Sequence, residues 1–185
     1  FTNKKLNAKI IPFRGEYYTL KKDADKLFNH LVYPVGNPKF PFLGVHFTRM
    51  INGEKEVGPN AVLAFKREGY KNSDISVKDM VDYLTYSGFL SFVGKNLKFC
   101  LNEFSTSILK SSFLKKTQKL IPEIRSKDII KGPAGVRAQG IDTKGHLMMD
   151  FNVITEGKQI HVINAPSPAA TSSLSIADYI IEKYL

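Results

Sequence analysis

The chain has 185 residues, 43% hydrophobic and 24% charged, with a net charge of +10 and one cysteine, Cys100. That length suffices for one domain with its own core, and the composition is that of a globular protein. A single thiol excludes an internal disulfide framework and a cysteine-built zinc site, and it suits a reducing compartment. No apolar run is long enough for a membrane-spanning helix. Excess positive charge raises the question of an acidic partner. The lysines, however, are spread over Lys21, Lys22 and Lys26, over Lys110, Lys115, Lys116 and Lys119, and elsewhere. Solvated faces are the plainer reading, and with no basic-aromatic stripe nucleic acid is not expected as a partner. The start, Phe1 to Lys5, has neither an initiator methionine nor a signal-peptide pattern, so residues upstream are expected.

Residues 8–20 are β-branched and aromatic but contain Pro12 and Gly15, so they predict strand broken or bulged at those points. Leu31 to Val35 is a short apolar run. Leu43 to Ile51 and Glu54 to Val57 flank Asn52-Gly53, a pair that favours a two-residue hairpin turn with positive φ. Gly58-Pro59 breaks the return strand before Ala61 to Phe65. Ser76 with Asp79 resembles a capping box, and Val77, Met80, Val81 and Leu84 follow at helical spacing. A second helix is predicted from about Leu97 to Leu120, stopping near Pro122. The last third returns to strands at Ala134 to Ile141, Leu147 to Ile154 and Gln159 to Asn164, with turns at Asp142 to Gly145 and Glu156-Gly157. Ser167-Pro168 reads as an N-cap and first helical residue of an amphipathic helix running toward Leu185. The pattern is α+β: a mixed or antiparallel sheet, two middle helices, and a strand-helix segment at the end. A Gly-x-Gly-x-x-Gly dinucleotide motif and a phosphate loop are both missing, so these residues offer no pyrophosphate-binding element.

Three stretches carry a family resemblance. They are Pro12 to Tyr18 (PFRGEYY), Phe40 to Thr48 (FPFLGVHFT) continued by Gly58 to Phe65 (GPNAVLAF), and Gly135 to Gln139 (GVRAQ) together with Asn164 to Thr171 (NAPSPAAT). In this order and spacing the chain resembles the C-terminal portion of the L-2-hydroxyglutarate oxidases and dehydrogenases, FAD-dependent enzymes of the D-amino-acid-oxidase-like superfamily. The resemblance implies residues 1–131 as a substrate-binding sheet with helices and 132–185 as an FAD-contacting segment that closes over the flavin. The Rossmann half would lie upstream.

The resemblance also suggests roles. His46 is the candidate base, since oxidation of a 2-hydroxyacid removes the hydroxyl proton as hydride leaves; the other reading is a hydrogen-bonded structural histidine. Arg137 is a candidate for binding the substrate carboxylate, against an internal ion pair with Asp150 or Glu103. Asn60 and Tyr18 are further substrate candidates, although Asn60 also suits a plain bulge, and alternation lets only one of Tyr17 and Tyr18 face a pocket. Arg14 is assigned a structural or cofactor-shaping role. Asn164, Ala165, Pro166, Ser167, Ala169, Ala170 and Thr171 are the expected flavin contacts. There, small residues allow close approach and a helix N-terminus offers free N–H groups; an ordinary capped helix is the alternative. No metal-ligand set is read. Two departures from related sequences, Ala138 after Arg137 and Arg49 after Thr48, leave specificity open.

The implied partners are a small dicarboxylate or 2-hydroxyacid, a separately supplied N-terminal FAD-binding half, and a second copy through surface left exposed without that half. The implied location is cytoplasmic, with a peripheral place at the inner membrane face left open. The chain is expected to be inactive alone. A catalytically inert remnant or a basic interaction module is the competing reading.

Overall fold

The computed structural model describes residues 6–36, 40–42, 44–166 and 168–185. Ser167 therefore lies outside the described residues. The fold is α+β and its strand pairs are antiparallel. Its hub is β1 (Ala8–Leu20), which pairs along its length with β5 (Ile129–Asp142), from Ala8 opposite Asp142 to Leu20 opposite Ile129. The other edge of β1 carries β3 (Lys55–Gly58) and the short β4 (Val62–Leu63), and β3 in turn pairs with β2 (His46–Arg49). A separate hairpin joins β6 (Asn152–Glu156) to β7 (Gln159–Asn164), turning at Gly157 with φ +58°.

The strand predicted to break at Pro12 and Gly15 is continuous through both. Pro12 has no N–H, but its carbonyl accepts Ala64 N at 3.0 Å. Gly15 pairs with Gly135 in a close crossing, where an added Cβ would lie 2.7 Å from Pro59 Cβ. The irregularity falls instead between Glu16 and Tyr18. The β2–β3 turn is also longer than Asn52-Gly53 predicts. Met50 N donates to Glu54 O and Glu54 N to Asn52 Oδ1, so only Gly53 has positive φ, +86°. The Asn52 side chain takes a donor that a two-residue turn would leave to the ladder.

Four helices replace the predicted two in the middle: α1 (Val77–Leu84), α2 (Ser87–Lys95), α3 (Leu97–Ile108) and α4 (Lys110–Thr117). The Ser76 cap forms as expected, its hydroxyl accepting Asp79 N at 3.2 Å. Two glycines hide α2 from a propensity reading. Gly88 is there because the helix sits directly on the end of β5, and an added Cβ would fall 2.1 Å from Asp142 O. The long predicted helix divides at Leu109, which is extended (φ −107°, ψ 107°). The last helix, α5 (Ser173–Tyr184), begins at Ser173 rather than at Pro168. Residues 168–172 form turns that already engage Ala169 N and Ser172 N.

Side chains of an antiparallel sheet alternate between faces, and paired residues share one. On one face the row Phe47, Val57, Tyr18 joins Phe28, Phe113, Ile124 and Ile129 in a core. A second core forms where α1 and α2 cover the far end of β1 and β5, around Ile11, Phe13, Tyr83, Phe89, Phe92 and Ile141. The next row of the sheet, with His46 opposite Gly58, turns the other way. That alternation sends Tyr18 into the core and leaves the opposite face free to line a cleft. Among the described residues, no helix is long and apolar enough to cross a membrane.

Candidate functional site

A cleft of about 770 Å³ opens on that second face. Its walls come from β1, Pro41, Phe42, Gly44 and His46, the 59–61 turn, β5, and Ala165, Pro166 and residues 168–171, and they include Arg137, Tyr17, Gly15 and Gly135. Segments 150 residues apart in sequence thus meet at one opening, and all three stretches singled out in the sequence contribute to it.

His46 is 9% exposed. Its Nδ1 lies 2.9 Å from the carbonyl oxygen of Gly44. A carbonyl only accepts, so Nδ1 carries the proton and Nε2 presents its lone pair. Burial pulls the imidazole pKa below its usual value, partly offset by the bond to Gly44. The ring is therefore neutral at neutral pH, the state a proton acceptor needs. Across β3, Gly58 separates His46 from Tyr17. At φ +152°, an added Cβ on Gly58 would press 2.8 Å from both Glu16 O and Tyr17 Cδ1. Glycine here lets the tyrosine ring lie against the sheet beside the histidine.

Arg137 stands on β5 opposite Phe13. One guanidinium nitrogen donates to Pro41 O at 2.7 Å, and the group lies 5.2 Å from the centre of the Phe42 ring. Neither expected internal partner is used. Glu103 accepts from Ala61 N and Lys116, and the Asp150 carboxylate accepts from Phe151 N. Among the described residues no carboxylate pairs with Arg137, leaving a half-buried cation in the cleft with free donors. Burial lowers its pKa, but a guanidinium stays charged at neutral pH. Tyr17 shares the cleft. Its pKa is raised, first by burial and then by Glu56, so the hydroxyl stays protonated.

Of the remaining candidates, the side chains of Arg14, Asn60, Tyr18 and Asn164 are committed elsewhere. Arg14, 2% exposed, donates to Glu16 at 3.2 Å, to the Lys71 carbonyl at 3.1 Å and to Asn72. Its charge is matched inside the protein, in keeping with a structural role. The Asn60 amide donates to Glu16 at 2.8 Å, and its oxygen accepts Glu16 N at 2.8 Å. Asn60 lines the cleft, but its side chain faces the network beneath it. The Tyr18 ring packs 4.5 Å from that of Phe113, so Tyr17, not Tyr18, faces the cleft. Asn164 closes the β6–β7 hairpin, donating to Asp150 O and accepting Asn152 N. Ala165, Pro166, Ala169, Ala170 and Thr171 do line the cleft. Opposite them Gly135 is open, since a Cβ added there would meet nothing within 4 Å. The sequence left Tyr17 and Tyr18 as alternatives, with Tyr18 the candidate, because only the packing of Phe113 on α4 reveals which sheet face is covered.

This is an α+β cleft with a neutral histidine, an arginine that pairs with no carboxylate among the described residues and a wall of small residues, a combination suited to binding a small anion. No protein-family model matches the chain. Among curated proteins it is 51% identical over 177 residues to the L-2-hydroxyglutarate dehydrogenase of Indibacter alkaliphilus, covering 96% of this chain and 44% of that protein. It is 47% identical over 174 residues to that of Escherichia coli K12 (94% and 41%). To the mitochondrial L-2-hydroxyglutarate dehydrogenase of Caenorhabditis elegans it is 48% identical over 180 residues (94% and 41%). Over 94–96% of its length the chain is similar to one portion of these L-2-hydroxyglutarate dehydrogenases, and it spans less than half the length of these relatives.

Proposed function

We propose that the cleft is the substrate side of a site that oxidises L-2-hydroxyglutarate to the 2-oxoacid with FAD as cofactor, and that the rest of that site comes from polypeptide outside these 185 residues. The observation that carries the proposal is the meeting, in one cleft, of His46 with its Nδ1 held by Gly44, of Arg137, which pairs with no carboxylate among the described residues, and of a wall of small residues from Ala165 and Pro166 to Ala169, Ala170 and Thr171. The relatives' names supply the substrate.

In this reading Arg137 receives one substrate carboxylate, its guanidinium offering paired donors. The Tyr17 hydroxyl, protonated and facing the same cleft, is a second donor. His46 Nε2 takes the proton from the 2-hydroxyl as the α-hydrogen leaves C2 with its electron pair, and the C–O bond becomes a carbonyl. FAD, when bound, supplies the acceptor for that hydride. Ala165, Pro166, Ala169, Ala170 and Thr171 would hold it, with the bare backbone at Gly135 allowing a flat ring to approach where any larger residue would project. The chain's own residues lack a pyrophosphate-binding glycine motif, so the segment alone is expected to be inactive.

A chimera tests this. The chain replaces the matching portion of the Escherichia coli relative, and turnover is compared for L-2-hydroxyglutarate, its D enantiomer and an L-2-hydroxy monocarboxylate. The proposal expects turnover of the L-dicarboxylate and strong discrimination against the other two. A flavin-loaded chimera that turns over all three alike would sink the substrate assignment.

A further inference from the structure

The segment after the 3₁₀ turn Lys22–Leu27 is fastened to the sheet at two points before it reaches the cleft. The buried ammonium of Lys55 donates to the carbonyls of Asp25 and Phe28, and the Phe28 ring packs 5.1 Å from Phe47. Four residues on, Val32 exchanges two backbone hydrogen bonds with Phe47, at 2.9 and 3.0 Å. The next residue is Tyr33. With Val32 pinned beside Phe47, Tyr33 falls on the neighbouring residue of β2, His46. The two rings stack with centroids 4.3 Å apart and planes 18° from parallel.

We infer that Tyr33 is a positioning residue for the proposed base: its ring covers one face of the His46 imidazole and, together with the Gly44 carbonyl, fixes the ring so that Nε2 alone is presented to the cleft. The inference rests on the reading of His46 as the base. The geometry supports it in three ways. Nδ1 is engaged by Gly44. Nε2 has no hydrogen-bond partner among the described residues, and no buried side-chain nitrogen or oxygen there lacks one, so Nε2 remains reachable. Tyr33 itself is 45% exposed and belongs to neither core, so its ring has the imidazole, rather than the fold, as its contact. A side chain that covers one ring face also excludes water from it and favours the neutral imidazole. Tyr33 on the fastened segment stacks on the imidazole and Tyr17 on β1 lines the same cleft; Glu56 on β3, Arg137 on β5 and Tyr33 all act electrostatically on Tyr17, while the His46 shift comes first from burial and is partly offset by the bond to Gly44.

The test uses Tyr33→Ala and Tyr33→Phe. In the 185-residue chain, with the His46 resonances assigned by their loss in His46→Gln, ¹⁵N chemical shifts report the tautomer and a pH titration reports the pKa. Tyr33→Ala is expected to raise the His46 pKa toward its ordinary value and to weaken the preference for the Nδ1-protonated form, while Tyr33→Phe keeps both. In the chimera, Tyr33→Ala is expected to lower kcat about two- to twelvefold, the range an aromatic contact supports, and to move the acid limb of the kcat/KM profile to higher pH; Tyr33→Phe restores both. An unchanged pKa and tautomer in Tyr33→Ala would overturn the inference. A changed pKa with His46→Gln turnover intact would instead overturn the base assignment, so the two failures are distinguishable.

Discussion

Beneath the cleft lies a buried polar network whose cost of disruption can be worked out. Glu16 Oε1 accepts from Arg14 Nε at 3.2 Å and Ser107 Oγ at 3.0 Å, and Oε2 accepts from Asn60 Nδ2 at 2.8 Å. The Arg14 and Glu16 side chains are 2% and 9% exposed. Glu16→Gln keeps the shape but turns one acceptor into a donor. That donor must face either Arg14, which only donates, beside a Ser107 hydroxyl that would have to reverse its bond, or the Asn60 amide, whose oxygen is already held by Glu16 N. It also leaves the Arg14 charge without its counter-charge. A buried pair broken on one side loses about 3–5 kcal/mol, whereas an exposed pair is worth about 0–1 kcal/mol. Lys9–Asp82, at 31% and 37% exposed, supplies the surface control through Lys9→Met. In urea unfolding of the chain, Glu16→Gln is expected to lower the midpoint by more than about 1 M and Lys9→Met to shift it far less. Arg14→Met in the Glu16→Gln background should recover part of the loss, because the unpaired charge is then gone. If Glu16→Gln unfolds no earlier than Lys9→Met, the network is not the buried, charge-matched unit described, and a structural role for Arg14 loses its basis.

Three further outcomes follow from the site. Replacing Arg137 by Met in the chimera should raise KM for L-2-hydroxyglutarate about 10- to 150-fold, the equivalent of about 1.5–3 kcal/mol for a charge-assisted bond; an unchanged KM removes Arg137 from substrate binding. Gly135→Val meets no protein atom at its Cβ, so thermal stability should hold while flavin or substrate affinity falls; unchanged affinity for both would mean the cleft is not used. Burial depresses the His46 pKa, so its neutral form adds stability above its unfolded pKa of ~6.5, and that contribution is lost as pH falls through the lowered folded value. The Tm advantage of the parent over His46→Gln should therefore shrink between neutral pH and mildly acidic pH; a constant or growing advantage contradicts the direction of the shift.

Local signals made part of this molecule legible in its sequence. The Ser76 cap, the strand character of residues 8–20 and the α+β order of elements depend on neighbours close in the chain, and each appears. What the sequence could not supply was set by tertiary contact. Pro12 and Gly15 look like breaks until Ala64 N is seen to pair with the Pro12 carbonyl and Pro59 to fill the space beside Gly15. The glycines of α2 look unhelical until Gly88 is seen against Asp142. The same limit governs the site. The family resemblance singled out His46 and Arg137, and both line the cleft. The amides of Asn60 and Asn164 were equally plausible by type, but their partners, Glu16 in one case and the Asp150 carbonyl and Asn152 N–H in the other, come from folding. Whether Tyr17 or Tyr18 faced the pocket depended on which sheet face Phe113 covers.

The most direct test of the account is anaerobic reduction of the flavin-loaded chimera by L-2-hydroxyglutarate, followed by loss of visible flavin absorbance in the parent and in His46→Gln. With equal flavin bound, the parent should bleach and His46→Gln should bleach about 10²- to 10⁴-fold more slowly, the usual contribution of a positioned base. Bleaching at the same rate in both would contradict the assignment of His46 and, with it, the mechanism proposed for this cleft.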